Sequence, residues 1–192
     1  MVAIKDIAEV NSGLSFRGKI KADRAGEISV IQMRDLMNDY SSIGDSCLAI
    51  DRNKVKEKHL LKKGDLLFIA KGNVNTAIYY NGSPENAVAT SVFFVVRIDK
   101  NRAVPGYVQW YLNLSQSQKH FKQNQTGTYT PAVKKDVVEE MQLTLPDLKV
   151  QEKISKIYAL EAIESRILSK LQEMRSSCLN SLLLKTAEAK NQ

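Results

Sequence analysis

The apolar positions between residues 28 and 98 follow the short-period pattern of β-strands. Turn signals such as Asn81-Gly82 and Lys62-Lys63-Gly64-Asp65 separate the apolar runs. Residues 90–97 form the run richest in β-branched and aromatic side chains, which predicts a central strand. The pattern predicts further strands at 28–31, 47–50, 66–70, 77–80 and 141–145.

Helical spacing occurs on both sides of this region. Short helices are predicted within residues 2–10 and 133–138. Pro105 suits the first position of a helix that continues through Tyr111 to Phe121 and stops at the polar segment 124–131. The sequence therefore predicts a mixed, α+β domain over residues 1–146.

The pattern changes after Asp147, and we expect a second part over residues 147–192. Residues 148–186 contain neither Gly nor Pro, which predicts one helix about 55 Å long. Its apolar residues are spaced 3, 4, 4, 3, 4, 4, a period that favours nearly straight or slightly right-handed helix pairing. These seam residues are Leu160, Ile163, Ile167, Leu171, Met174, Cys178 and Leu182.

Such a helix outreaches a domain of this size, whose radius of gyration is roughly 15 Å. An exposed apolar stripe needs a partner, so an intermolecular coiled coil is favoured over a helix packed along its own domain. The sequence thus predicts that the helix pairs with a second chain through the seam, and the family resemblance given below makes a homodimer the expected form of that pair.

The charge points to a polyanionic partner. The 192 residues are 43% hydrophobic and 26% charged, with a net charge of +7. Residues 1–146 hold 20 Lys and Arg against 15 Asp and Glu, and the remainder holds 8 against 6. Excess positive charge on a globular domain suits nucleic acid, although a basic protein without a specific ligand has the same composition.

The candidate DNA contacts lie in three polar segments. No acidic residue occurs between Asp99 and Asp136. Lys and Arg neutralise phosphates, while Gln and Asn can pair with adenine in the major groove. The candidates are Arg17, Lys19, Lys21 and Arg24 in a basic loop, Lys71, Asn73 and Asn75 in a turn, and Lys119, Lys122, Gln123, Asn124, Gln125, Thr128 and Tyr129 in the third segment.

The sequence shows no pattern typical of catalysis. Two cysteines and two histidines, all far apart, predict neither a disulfide framework nor a zinc site. Phosphate-binding and dinucleotide-binding Gly motifs are absent. Asp65 and Lys71 flank one predicted strand, but the second acidic residue that a metal-dependent nuclease needs does not accompany them. Neither a signal peptide nor an apolar run long enough to span a bilayer is found, so a cytoplasmic protein is expected.

Several segments, taken in order, resemble the specificity subunit of type I restriction–modification systems. They are Ile7-Ala8-Glu9-Val10-Asn11-Ser12-Gly13, Leu61-Lys62-Lys63-Gly64-Asp65-Leu66-Leu67-Phe68 with Gly72-Asn73, Ala89-Thr90-Ser91-Val92-Phe93, Pro105-Gly106-Tyr107-Val108-Gln109-Trp110-Tyr111-Leu112, and Leu145-Pro146 followed by Gln151-Glu152-Lys153-Ile154. Their joint order extends over essentially the whole chain.

The resemblance implies a non-catalytic, DNA-binding target-recognition domain followed by a long conserved helix. It also implies modification (methyltransferase) subunits as partners and, in the full complex, restriction subunits. S-adenosylmethionine, ATP and Mg²⁺ would belong to those partners. The family's usual chain has two recognition domains and two helices, whereas this chain has one copy of each.

Three alternatives remain open from the sequence alone. The chain could pair with a different half subunit instead of a second copy of itself. It could be a basic adaptor that binds RNA or protein, which electrophoretic shifts on random duplex and single-stranded RNA would reveal. A small metal-dependent nuclease comes third, and a cleavage assay would expose it.

Overall fold

The computed structural model describes residues 1–23, 25–37, 40–44 and 46–189. Two compact units result, Met1–Ser155 and Lys156–Gln192. Within the described residues, no helix combines the length and apolarity that crossing a membrane requires.

The described chain contains thirteen short strands, five α-helices and three single-turn 3-10 helices, which are Met33–Asp35, Arg52–Lys54 and Glu57–His59. The strands are β1 (Val2–Ala3), β2 (Ala8–Ser12), β3 (Ile28–Ile31), β4 (Leu36–Met37), β5 (Ser42–Ile43), β6 (Leu48–Ile50), β7 (Leu66–Ile69), β8 (Ala77–Tyr79), β9 (Ala87–Ala89), β10 (Phe93–Ile98), β11 (Gln125–Thr126), β12 (Ala132–Val133) and β13 (Gln142–Leu143). The α-helices are α1 (Ile4–Ile7), α2 (Pro105–Asn113), α3 (Ser115–Gln123), α4 (Lys135–Glu139) and α5 (Leu148–Ala189).

A four-stranded antiparallel sheet of order β2-β10-β7-β8 forms the centre of the first unit. All four residues of β7 are buried, which explains why its sequence is a continuous apolar run instead of an alternating one. Leu66 and Phe68 belong to the core on one face, and Leu67 and Ile69 belong to the core on the other. Side chains alternate across a strand, so β7 contributes to both cores.

The core that includes Leu66 and Phe68 is shared with residues of the helices. Phe68 and Phe121 of α3 meet edge to face with ring centroids 4.7 Å apart. Val108 and Leu112 of α2 are fully buried in the same cluster. The helices thereby cover one face of the central sheet.

A second sheet of order β6-β3-β9 contributes to the other core. Strands β3 and β9 are parallel, and β3 and β6 are antiparallel. Ile31 and Ala89 join Leu67 and Phe93 in this cluster, and further apolar residues such as Val30 form a third cluster. The unit is therefore layered as helices, sheet and sheet.

The start of α5 is anchored to the first unit through Gln151, which is 1% exposed. Its Nε2 donates to the carbonyl of Pro146 at 2.7 Å, and its Oε1 accepts from the backbone N–H of Val104 at 2.9 Å. Ile154 packs against the helical core. The start of α5 is therefore attached through three residues of the segments that carry the sequence resemblance, Pro146, Gln151 and Ile154.

The mixed α+β domain with one long C-terminal helix is confirmed. Some predicted elements differ in detail. The helix expected from Pro105 through Phe121 is two helices, because Leu114 is extended at φ −60° and ψ 144°. The helix expected within residues 2–10 is a single turn between two strands. The boundary between residues 146 and 147 stays a proposal.

Candidate nucleic-acid interface

One edge of the central sheet gathers the ends of four strands. The register pairs Phe94 with Ser12, Phe93 with Ile69 and Phe68 with Ala77. The carboxyl ends of β2 and β7 and the amino ends of β8 and β10 therefore share this edge. The basic loop after β2 and the turn between β7 and β8 both leave from it, so two of the three predicted DNA-contacting segments start at the same edge.

The basic loop is held at both ends while its cations face solvent. Leu14 forms an isolated parallel bridge with Thr90, and the N–H of Asp23 donates to the carbonyl of Ala49 at 2.9 Å. The exposed cations between these points are Arg17, Lys19 and Lys21. Arg24 lies outside the described residues.

The turn between β7 and β8 presents two of its three predicted residues. Lys71 and Asn73 are exposed. Asn75 is 4% exposed, and its Nδ2 donates to the carbonyl of Ile69 at 3.0 Å. Its burial gives Asn75 a structural task within the turn, and direct contact with a base is not supported.

Strands β11 and β12 form a short ribbon with the loop between them, which we call the 125–133 ribbon. Gly127 adopts φ +98°, and a Cβ there would lie 2.9 Å from the carbonyl oxygen of Thr130, so the bend requires glycine. Thr128 is exposed, and Tyr129 is 100% exposed.

The 125–133 ribbon is attached to the turn after β7. The N–H of Gly72 donates to the carbonyl of Pro131 at 2.8 Å, and the N–H of Val133 donates to the carbonyl of Ala70 at 2.8 Å. Lys71 and Ala132 form an isolated antiparallel bridge between these bonds. The third predicted segment is therefore brought beside the second.

Helix α3 supplies the remaining predicted contacts. Lys119, Lys122, Gln123 and Asn124 are exposed, whereas Phe121 fills the core. Asn124 Nδ2 donates to the carbonyl of His120 at 2.9 Å, which satisfies the end of the helix. Neither lysine forms an ion pair with another described residue, so both are available to phosphates.

Several amides of the acid-free region are used inside the protein. Gln118 Nε2 donates to the carbonyls of Asn75 and Leu112 at 3.0 and 2.8 Å. Asn113 donates to and accepts from the backbone of Ala77 at 2.9 and 2.8 Å. The amide-rich composition therefore partly reflects the support of the turn between β7 and β8.

Arg34 is an exposed cation that the sequence pattern did not single out. Its side chain is 61% exposed. It lines a groove with Lys19 and Gln32 beside the basic loop. An isolated arginine after a strand has no sequence signal that would identify it as part of such a surface.

Helix α5 carries the second candidate surface. Six of the seven seam residues are 45 to 65% exposed, and Cys178 is exposed as well. At 100° per residue they fall within an arc of about 100°. Ile157, Leu168 and Leu179, which repeat every 11 residues and are also exposed, widen the apolar face beyond the predicted seam.

A bidentate ion pair lies at the opposite edge of the central sheet. Asp65 accepts from Nε and Nη2 of Arg97 at 2.9 and 2.6 Å, and the hydrogen bond to Asp65 raises the pKa of Arg97 against the opposing effect of burial. The described residues contain no cluster of three or more His, Cys, Asp or Glu that could hold a metal ion. Asp65 therefore has a structural partner.

A comparison with known proteins identifies a family whose model matches most of this chain. A model described as the type I restriction modification DNA specificity domain matches residues 1–173. The type I restriction enzyme HindI specificity subunit of Haemophilus influenzae is 29% identical over 102 residues, which cover 50% of this chain and 22% of that protein.

Solved structures show the same fold. The S subunit of the type I restriction-modification system from M. genitalium matches with a TM-score of 0.62 and 12% identity, over 90% of this chain and 41% of that one. The HsdS subunit from Thermoanaerobacter tengcongensis matches with a TM-score of 0.61 and 15% identity, over 92% of this chain and 44% of that one. A chain from a study of complex assembly and conformational transition of the type I R-M system matches with a TM-score of 0.68 and 15% identity, over 94% of this chain and 42% of that one. This chain thus spans less than half the length of each.

Proposed function

This chain belongs to the type I restriction modification DNA specificity domain family, and from that premise we propose that it reads one half-site of a duplex DNA target. The family consists of specificity subunits, which are not themselves catalytic. The chain spans 41 and 42% of the length of two of the solved structures that it matches.

The observation that supports DNA reading is the gathering of the predicted segments at one edge of the central sheet. Lys71 is exposed at this edge, and the basic loop with its exposed cations starts from the same edge. Cations placed on loops of one edge can neutralise neighbouring phosphates, while the polar side chains between them reach base edges.

Two copies would pair through the seam and restore the two-domain arrangement. The exposed apolar area of α5 supports this, since a stripe of leucines open to water is unfavourable. A two-fold dimer reads two identical half-sites, so its target is palindromic with a fixed central gap.

The partners proposed are double-stranded DNA and modification subunits, with restriction subunits in the full complex. Ile157, Leu168 and Leu179 lie beside the seam and offer apolar area to a modification subunit when the seam is occupied. S-adenosylmethionine, ATP and Mg²⁺ would be held by those partners, and the assembly would work in the cytoplasm.

The test is to map methylated sites in DNA from cells that express this chain with its modification subunit. We expect one palindromic, gapped consensus. A non-palindromic consensus would instead indicate pairing with a different half subunit. Methylation that is unchanged when the chain is omitted, together with a gel shift on single-stranded RNA but not on random duplex, would overturn the proposal in favour of an RNA adaptor.

A further inference from the structure

The structure indicates which part of the recognition domain enters the DNA. Resting on the proposed DNA-reading function, we infer that the 125–133 ribbon enters the major groove of duplex DNA with Tyr129 at its leading end. We further infer that Gln125 is a positioning residue that holds the ribbon, instead of a residue that contacts a base.

The loop at the tip of the ribbon is fully open to solvent and can contact a ligand. Tyr129 is 100% exposed and is flanked by exposed Thr128 and Thr130. A single exposed aromatic ring is ordinary on a protein surface. In this ribbon the ring stands between two exposed hydroxyl side chains in the loop that joins the strands, so apolar and hydrogen-bonding groups are presented together.

The base of the ribbon is fixed to the central sheet. The two backbone hydrogen bonds of Gly72 and Val133, each 2.8 Å, continue the β7 strand beyond Ile69 and pair it with β12. Because β7 is buried on both faces, the ribbon is attached to a strand that has little freedom to move.

A pair of carboxamides fixes the other strand of the ribbon. Gln125 Nε2 donates to Oδ1 of Asn75 at 2.7 Å and to the carbonyl of Gly72 at 3.1 Å. The Nδ2 of the buried Asn75 is itself committed to Ile69. With its amide nitrogen engaged twice inside the protein, Gln125 transmits the position of the turn to β11.

Charge and dimensions select the DNA groove. Residues 100–135 contain no acidic residue. Three exposed lysines lie near the ribbon: Lys122 and Lys134 flank it in the sequence, and Lys71 pairs with Ala132 of β12. Two strands lie about 4.8 Å apart, and with side chains such a ribbon fits the roughly 12 Å major groove without deforming the duplex, whereas the roughly 6 Å minor groove would have to be widened to admit it. Threonine and tyrosine hydroxyls match the purine N7 and O6 acceptors that face the major groove.

The first experiment selects duplexes with a randomised core on the full chain. Wild type should enrich one consensus. Tyr129→Ala should lower the preference for that consensus over an unrelated duplex about 10-fold, with the slope of affinity against salt unchanged. Gln125→Ala should lower the preference similarly and speed amide hydrogen exchange in residues 126–132 alone. Gln142→Ala, an exposed glutamine on β13, is the matched control and should leave both unchanged.

The second experiment replaces purines of the consensus one at a time. Wild type should lose affinity at 7-deazapurines, which lack the major-groove N7, and should tolerate 3-deazaadenine, which lacks the minor-groove N3. The inference is overturned by the reverse pattern, or by unchanged preference in both Tyr129→Ala and Gln125→Ala. Failure of the underlying function looks different, because wild type itself would then enrich no consensus.

Discussion

At the scale of single residues, Asp65 links two strands and a turn. Its carboxylate accepts from Arg97 twice and from the N–H of Lys62 at 2.8 Å, and its side chain is 3% exposed. Asp65→Asn removes the carboxylate charge and one acceptor oxygen. It leaves Arg97, whose side chain is only 27% exposed, without its counter-ion. We expect the free energy of unfolding to fall by about 2 to 3 kcal/mol.

Urea denaturation of Asp65→Asn would measure this loss. Glu173→Gln serves as the control, because it breaks an exposed pair with Lys170 at 3.5 Å and should cost about 0.5 kcal/mol or less. Equal midpoints for the two variants would contradict the structural task given to Asp65.

Lys122 represents the cations that are proposed to contact phosphates. It is exposed on α3 one residue after the buried Phe121, so it can be changed without disturbing the core. Lys122→Ala should weaken binding to all duplexes alike and reduce the slope of log affinity against log salt by about 1. Lys63→Ala, in the turn that precedes β7 at the opposite edge of the sheet, should leave affinity and slope unchanged in the same salt titration.

At the scale of elements, Gln151 joins the start of α5 to the recognition domain. Gln151→Ala leaves the N–H of Val104 and the carbonyl of Pro146 without their side-chain partner. A buried polar group left unpaired costs about 1 to 3 kcal/mol, so the free energy of unfolding should fall by that amount.

Thermal or urea unfolding checks this, with Gln172→Ala as the matched control on the exposed part of α5. The control changes a helical glutamine to alanine without touching a buried partner. If the two variants unfold at the same denaturant concentration, the anchor is not important for stability.

The elements that the sequence predicts well are those with long patterns. The apolar run of β7 and the Gly-free and Pro-free stretch of α5 depend on many residues, so both are found near their predicted bounds. Strands β4, β5, β11 and β12 have two residues each, which is too short for periodicity to show. They pair as local hairpins, β4 with β5 and β11 with β12. The break at Leu114 rests on the extended backbone of a single residue, which periodicity does not reveal either.

The same reason limits prediction of the candidate site. Residue type correctly places Lys122 and Tyr129 on the surface. It does not distinguish the buried Asn75 from the exposed Asn73, because both are asparagines in one turn. The partners of Asn75 include Gln118 and Gln125, which are 43 and 50 residues away in the chain, so the turn's own sequence does not reveal them.

At the scale of the whole molecule, the proposed pairing of two chains depends on the exposed face of α5. Leu171 lies in the middle of the seam and is 56% exposed, whereas Ser169 lies about 160 to 180° around the helix from the seam. A charge at Leu171 would be buried without a partner in a paired helix, which is costly. A charge at Ser169 would stay in water.

Light scattering of the full chain at micromolar concentration should therefore give a mass of two chains of 21.5 kDa each for wild type and for Ser169→Glu. Leu171→Glu should give one chain, and its DNA affinity should fall because two linked half-sites bind far more tightly than one. Its sequence preference for a single half-site should persist, since the recognition domain is untouched. A wild type that is strictly monomeric, both alone and with the modification subunit, would exclude the homodimer and leave pairing with a different half as the arrangement to examine.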